Sequence, residues 1–234
     1  MTGFTLDEVV PWGRSFDEYC RMFALTAADL DHTILGCGDG PAGFNAEAAR
    51  RGHRVVSADP LYQFSADEIG ARIAATRDRI LDETRRNCDE FVWDSIRSVE
   101  ELDEIRMSAM RSFLADYDRG RRDRRYVCAA LPALPFPDKS FDLGLCSHLL
   151  FLYSDQLSEL FHVEAALELC RVAREVRIFP LLALGSHRSP HVAPVVDRLA
   201  RAECEVSIEN VPYEFRRGGN QMMRIRPRPI RGPA

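Results

Sequence analysis

The chain has 234 residues, 46% of them apolar and 29% charged, which allows one α/β domain with an elaboration and a buried core. A net charge of −5 gives no reason to expect a nucleic-acid backbone as partner. Lys139 is the only lysine, so 30 of the 31 basic residues are arginine, and so general a bias makes any single arginine a poor sign of recognition.

Asp7 and Glu8 stand at the start, and no basic-then-apolar signal precedes them. No apolar run is long enough to span a bilayer; the longest lies around Leu143 to Tyr153. Seven scattered cysteines, none in a C-x-x-C pair, read as reduced core residues. A cytoplasmic protein without a metal site or a membrane partner is the expectation.

The first helix is expected from Ser15, where Glu18 completes a capping box and Met22, Phe23 and Leu25 face a core. Just before it, Arg14 offers a guanidinium that can take a ligand carboxylate in bidentate fashion. Thr33 to Leu35 is a short apolar strand, followed by Gly36, Gly38, Gly40 and Gly43 within eight residues. Glycine tolerates positive φ and lets a ligand approach bare backbone. An Ala-rich helix over Asn45 to Arg51 and a strand over His53 to Ala58 follow, and Asp59 stands at that strand's carboxyl end. In an open α/β sheet ligands lie beyond such ends, and an acid there holds ribose hydroxyls. Gly38-x-Gly40-x-x-Gly43 fits a dinucleotide turn, while Gly36-x-Gly38-x-Gly40 fits an S-adenosylmethionine (SAM) turn. The strand runs directly into Gly36, which favours the second register.

Residues 61–125 are too many for a simple crossover. Ser65 and Glu68 make a capping box, Phe64 and Ile69 a hydrophobic staple, and Ile69, Ile73 and Ile80 a helical stripe. A second helix is expected over Ser98 to Tyr117, with Leu102, Ile105, Met110 and Phe113 on its apolar side. The pair reads as an inserted helical cap, placed to act as a substrate lid. Asp116 to Arg125 mixes five arginines with three aspartates and reads as a solvated turn.

Strands are then expected over Tyr126 to Leu131 and Phe141 to Ser147, with a proline-rich loop, Pro132 to Ser140, between them. His148 follows the second. A helix over Leu157 to Arg174, a strand over Glu175 to Leu182 and a helix from Ser189-Pro190 to about Ala202 continue the alternation. Cys204 to Phe215 and Gln221 to Arg226 would be two strands of a hairpin turning at Arg217 to Asn220. The expected fold is α/β: one Rossmann-like, doubly wound, mostly parallel sheet with a C-terminal antiparallel hairpin and the inserted cap.

The G-x-G-x-G turn, the acid after the second strand and LPFPDKSFD (Leu134 to Asp142) occur in that order. Together they make the chain resemble the class I SAM-dependent methyltransferases, in particular the subgroup related to the ubiquinone and menaquinone C-methyltransferases. The resemblance covers about 33–61 and 126–226, not the insertion. It implies SAM as cofactor and a small-molecule acceptor. It places Gly36, Cys37, Gly38 and Gly40 around the methionyl and ribose part, and Asp59 on the ribose. Pro60, Leu61, Ala130 and Leu131 would lie by the adenine, and Ser147 and His148 at the methionyl end and the acceptor. His148, at the mouth of the central strand, is the candidate general base; Tyr153, Asp155 and His187 are further mouth residues. Met222, Met223, Tyr213 and Phe215 read as core. The family often has acids where this chain has Ile34 and Ala130, and Asp39 or Ser147 could substitute for them. Three alternatives stay open. One is a methyltransferase-like protein that binds SAM or S-adenosylhomocysteine (SAH) without turnover. Another is a nicotinamide-dependent oxidoreductase. The third is nucleic-acid methylation drawing on Arg216, Arg217, Arg224, Arg226, Arg228 and Arg231, for which no base-flipping motif is present.

Overall fold

Ile34 and Leu35 are sequence neighbours, both fully buried, and they enter different hydrophobic clusters. Only a strand buried on both faces does this, because successive side chains point to opposite sides. That strand, β1 (Thr33–Cys37), is an interior strand of a seven-stranded sheet in a computed structural model that describes residues 10–228. The others are β2 (Arg54–Ala58), β3 (Tyr126–Val127), β4 (Phe141–Ser147), β5 (Ala173–Phe179), β6 (Cys204–Asn210) and β7 (Gln221–Pro227). Their order is β3-β2-β1-β4-β5-β7-β6. The first five run parallel; β7 pairs antiparallel with both β5 and β6. This is the Rossmann-like, mostly parallel sheet with a terminal antiparallel pair that the alternation of elements predicts.

The helices are α1 (Phe16–Met22), α2 (Ala27–Leu30), α3 (Phe44–Arg50), α4 (Ala66–Arg86), α5 (Val99–Arg122), α6 (Glu159–Val172) and α7 (Val192–Arg201). Phe16, Tyr19 and Phe44 of α1 and α3 share one core with Ile34, Leu143 and Leu145. Ala165 and Leu169 of α6 and Val195 and Leu199 of α7 share the other with Leu35 and Ile178. A third cluster, with Tyr62, Ile73, Phe113, Tyr117 and Tyr126, packs α4 and α5 together beside β3. No helix among the described residues is long and apolar enough to cross a membrane.

Several boundaries differ from expectation for physical reasons. β3 has two residues rather than six, because its partner β2 ends at Ala58 and turns into a short 3-10 helix, leaving nothing to pair with. β5 stops at Phe179 because Pro180 has no N–H to give the ladder. β6 ends at Asn210 and not Phe215: residues 211–220 leave the sheet, and Phe91 bridges Arg216 instead. Asp116 to Arg125 is not a free turn. Its first seven residues belong to α5, and Arg125 bonds Asp116 and Asn45 at 2.7 Å each. The C-terminal arginines are engaged within the fold: Arg224 and Arg226 both bond Glu175, and Arg217 bonds the carbonyls of Asp89 and Phe91. Asp7, Glu8 and Arg231 lie outside the described residues. All seven cysteines are free thiols.

Candidate functional site

Chain direction over the sheet reverses at β1 and β4: the connections from β1 lead to β2 and β3 on one side, and β5 lies on the other. A crevice opens beyond the carboxyl ends of strands at such a point. Here it is a cavity of about 600 Å³. Cys37, Gly38, Asp39 and Gly40 line it from β1, Asp59, Pro60 and Leu61 from β2, Ala129 to Leu131 from β3, and Ser147 and His148 from β4. Arg14 and Tyr19 reach it from the N-terminal segment.

The glycine turn is built to bring backbone to the surface of that cavity. Gly38 has φ +71° and donates its N–H to the Ala58 carbonyl at 2.9 Å. A Cβ there would lie 2.7 Å from Leu149. Gly40 has φ +53° and nothing within 4 Å of the position a Cβ would take. Its N–H donates to Asp59 Oδ2 at 2.8 Å, and Asp59 Oδ1 accepts the Leu61 N–H at 2.7 Å. The acid thus ties the two halves of the turn together and still faces the cavity. Burial pushes its pKa up, and the two backbone donors oppose that.

Gly36 does not line the cavity. A Cβ on it would lie 1.9 Å from Asp39 Oδ2, so this glycine makes room for a buried carboxylate. Asp39 accepts from Tyr19 Oη at 2.8 Å and from Ser57 Oγ at 2.6 Å, and Asn45 donates to Ser57 behind it. Burial raises its pKa to about 6 despite these donors. A carboxyl raised from 3.8 to about 6 on folding contributes stability below pH 4 that is lost as pH rises through 6. Asp39→Asn should therefore stabilise the protein at pH 7–8 by on the order of 3 kcal/mol. The gain should vanish below pH 4; urea titrations at the two pH values check it.

Beyond the turn the cavity is walled by aromatic and basic side chains. Tyr153, Phe179, Tyr213 and Phe215 line it, so the last two are cavity wall as well as core. Met222 and Met223 are fully buried. Asp155 and His187 are exposed and do not line it. Helix α4 supplies Arg72, Thr76 and Arg79, and α5 supplies Leu102 and Arg106. None of Pro132 to Ser140 lines the cavity. That loop docks on α6, where Arg171 bonds the carbonyls of Leu134 and Phe136 and Lys139 bonds those of Cys170 and Ala173.

His148 takes φ +53°, which turns its ring inward; Nδ1 lies 2.9 Å from Ser147 Oγ. Burial, then the charges of Arg14, Arg106 and Arg216, hold its pKa well below the usual imidazole value. The ring is neutral at pH 7. It can accept a hydrogen bond, but burial and these neighbouring positive charges make it a weak proton acceptor.

The sequence places Glu18 in the capping box of α1, which the structure shows, and Arg216 among the C-terminal arginines, but by itself it neither singles out Arg106 nor brings these three side chains to this region. Glu18 and Arg106 form an ion pair, each about 1–2% exposed, and Tyr213 Oη donates to Glu18 Oε1 at 2.8 Å. One signal was available: Arg106 falls four residues after Leu102 and four before Met110, in the middle of an apolar stripe. Arg14 gives Nη1 to the Trp12 carbonyl at 2.8 Å, while its buried Nε has no partner. Among the described residues, no group of three or more His, Cys, Asp or Glu could hold a metal ion.

Comparison with known proteins gives one strong match in sequence. The chain is 33% identical over 227 residues to "Uncharacterized protein MJ0045" of Methanocaldococcus jannaschii, covering 97% of this chain and all of the relative. No protein-family model matches. Among solved structures, the mitomycin 7-O-methyltransferase MmcR aligns with a TM-score of 0.48 at 12% identity, over 91% of this chain and 54% of that one. A SAM-dependent methyltransferase from Aquifex aeolicus aligns with a TM-score of 0.41 at 14% identity, over 90% and 87%. The chain spans about half the length of the mitomycin enzyme.

Proposed function

This chain belongs to the family of uncharacterized protein MJ0045, and we propose that it is a SAM-dependent methyltransferase acting on a small molecule. The observation that carries the reading is the joint between Gly40 and Asp59: an open glycine turn bonded to an ionisable acid, both facing one cavity at the reversal of the sheet. Bare backbone beside a carboxylate is what an adenosyl ribose needs.

In this reading Asp59 accepts the ribose hydroxyls, and Cys37, Gly38 and Gly40 present backbone to the ribose and methionyl part. Pro60, Leu61, Ala130 and Leu131 flank the adenine. Arg14, with a buried Nε in want of an acceptor, receives the methionyl carboxylate. Gly36 acts at one remove, by seating Asp39. Bound SAM supplies a methyl group on a sulfonium leaving group. The protein's task is then chiefly alignment, which can supply on the order of 7–11 kcal/mol. Ser147 and His148 shape the meeting point, with His148 as hydrogen-bond acceptor to the incoming group. The α4–α5 insertion covers the acceptor side as a lid. The loop 132–140, which carries part of one of the three motifs behind the resemblance to quinone C-methyltransferases, packs on α6 away from the cavity and gives no support to a quinone acceptor.

A second reading, binding without turnover, is favoured by Ala130, which lines the cavity where the resemblance expects an acid. Calorimetric titration of the purified protein decides the first point: SAM and SAH should bind and NADH should not. Failure of both adenosyl compounds to bind ends the proposal. Binding of SAH with no methyl transfer across a metabolite panel would favour the second reading.

A further inference from the structure

Phe151 stands at φ +69°, a conformation that a bulky residue rarely takes, and the next two residues, Leu152 and Tyr153, line the cavity. Two imidazoles hold this turn. His162 of α6 is fully buried and stacks on the Phe151 ring at 5.5 Å, with its Nδ1 2.8 Å from the Ser158 carbonyl. His191, at the start of α7, lies 4.4 Å from His162 ring to ring, and its Nε2 is 3.1 Å from the Ser154 carbonyl. The Ser154 hydroxyl closes the turn by donating to the Phe151 carbonyl at 2.6 Å, and it lies 2.7 Å from the Ser189 hydroxyl.

A carbonyl can only accept, so Nδ1 of His162 and Nε2 of His191 carry the ring protons. That leaves Nε2 of His162 as a bare lone pair, and it is buried without a hydrogen-bond partner. A neutral ring tolerates this. A protonated ring would place an N–H and a charge in apolar space between Phe151 and His191. Burial lowers the His162 pKa, the Ser158 carbonyl opposes that, and His191 adds to it. The charged side chains on the flanking elements are Asp155 after the turn, Glu159 and Glu164 of α6, Arg188 before α7 and Asp197 within it. All five are exposed, and none is among the groups that shift His162; His191 is the one titratable neighbour that does. Lifting Phe151 off the ring is the shortest route for water to reach that nitrogen. The same movement relieves the φ of Phe151 and takes Leu152 and Tyr153 out of the wall.

We propose that His162 and His191 are an acid-released latch on the cavity wall: two neutral rings hold the turn 151–154 shut, and a proton on His162 opens it. The latch goes beyond the methyltransferase reading and does not depend on what the cavity holds. A released ring titrates near the ordinary value of about 6.5 and the held ring lower, so opening becomes favoured as pH falls through about 6.5.

Hydrogen–deuterium exchange of the full chain at pH 7 and pH 5, corrected for the intrinsic exchange rate, reads the turn through the peptide 149–158. Its protection should fall by about threefold or more at pH 5, while that of β4 should hold. His162→Phe keeps a ring on Phe151 and takes no proton. His162→Asn keeps a donor for the Ser158 carbonyl and takes none either. That carbonyl already accepts the His162 backbone N–H, so neither change leaves it bare. Each variant should remove most of the fall at 149–158. The proposal is overturned if 149–158 is equally protected at both pH values, if β4 loses protection in step with it, or if the folded variants keep the full fall. The first two outcomes are read on the parent protein alone and need no variant to fold.

Discussion

Arg106→Leu is expected to cost about 3–5 kcal/mol of stability at pH 7, the usual result of removing one member of a buried ion pair. Its partner Glu18 is 2% exposed and would be left with Tyr213, the Ser15 hydroxyl and the Ser15 N–H as hydrogen-bond partners. At present burial pushes Glu18 up, and the charge and hydrogen bond of Arg106, aided by Ser15 and Arg14, bring it down to about 2. A carboxyl lowered from 4.5 to about 2 on folding gives stability that is present above pH 4.5 and is lost as pH falls toward 2. In the variant burial dominates, so the sign reverses: an ionised Glu18 then opposes folding at neutral pH. The gap between variant and parent should be widest near pH 7 and should shrink on acidification. Glu18→Gln/Arg106→Leu should recover most of the loss, because no buried charge remains. Urea denaturation at pH 7 and pH 4 reads all three proteins. An Arg106→Leu protein as stable as the parent at pH 7 would mean that the pair ties α1 to α5 without energetic consequence.

That pair also marks where the sequence stops being readable. The strand–turn–strand unit was legible because its signals are local: glycines that must take positive φ, an alternation that buries Ile34 and Leu35 on opposite faces, and an acid at the end of β2. The capping boxes at Ser15 and Ser65 were legible for the same reason, each being contained in four residues. The acceptor side of the cavity was not. Arg106, Glu18 and Tyr213 meet across 88 and 195 residues of chain, and no local pattern encodes such a meeting. In a chain with 30 arginines, the few that turn inward look like the many that do not. Tyr213 and Phe215 were assigned to strand and core because their apolar alternation continues past Asn210; what removes them from the sheet is the competing bridge between Phe91 and Arg216. The Leu134 to Asp142 motif shows the converse, a local signal whose place in the fold the sequence does not reveal. It is locally conspicuous, yet its work is to fasten the β3–β4 connection to α6.

Asp59→Ala should weaken SAH binding at least tenfold, about 1.4 kcal/mol or more, as expected for the loss of one charged hydrogen bond. The same change frees the Gly40 and Leu61 N–H groups, so part of the loss could come from a loosened turn and not from missing ribose contacts. Asp59→Asn separates the two. It keeps an oxygen for one backbone donor and the shape of the side chain, but it cannot offer two acceptor oxygens to a pair of hydroxyls. If Asp59 holds the ribose, Asn should retain most of the thermal stability that Ala loses and still bind SAH several-fold more weakly than the parent. Acidification supplies an independent check. The ionised carboxylate is the form that accepts hydroxyls, and burial has raised its pKa, so SAH affinity should begin to fall at a higher pH than an ordinary aspartate would allow. Asp39 titrates near 6 in the same cavity, so the measurement belongs in an Asp39→Asn background. There the pH dependence should disappear when Asp59→Asn is added. SAH affinities that match across the Asp59 variants, at every pH, would remove the carboxylate from the site and leave the glycine turn without its partner.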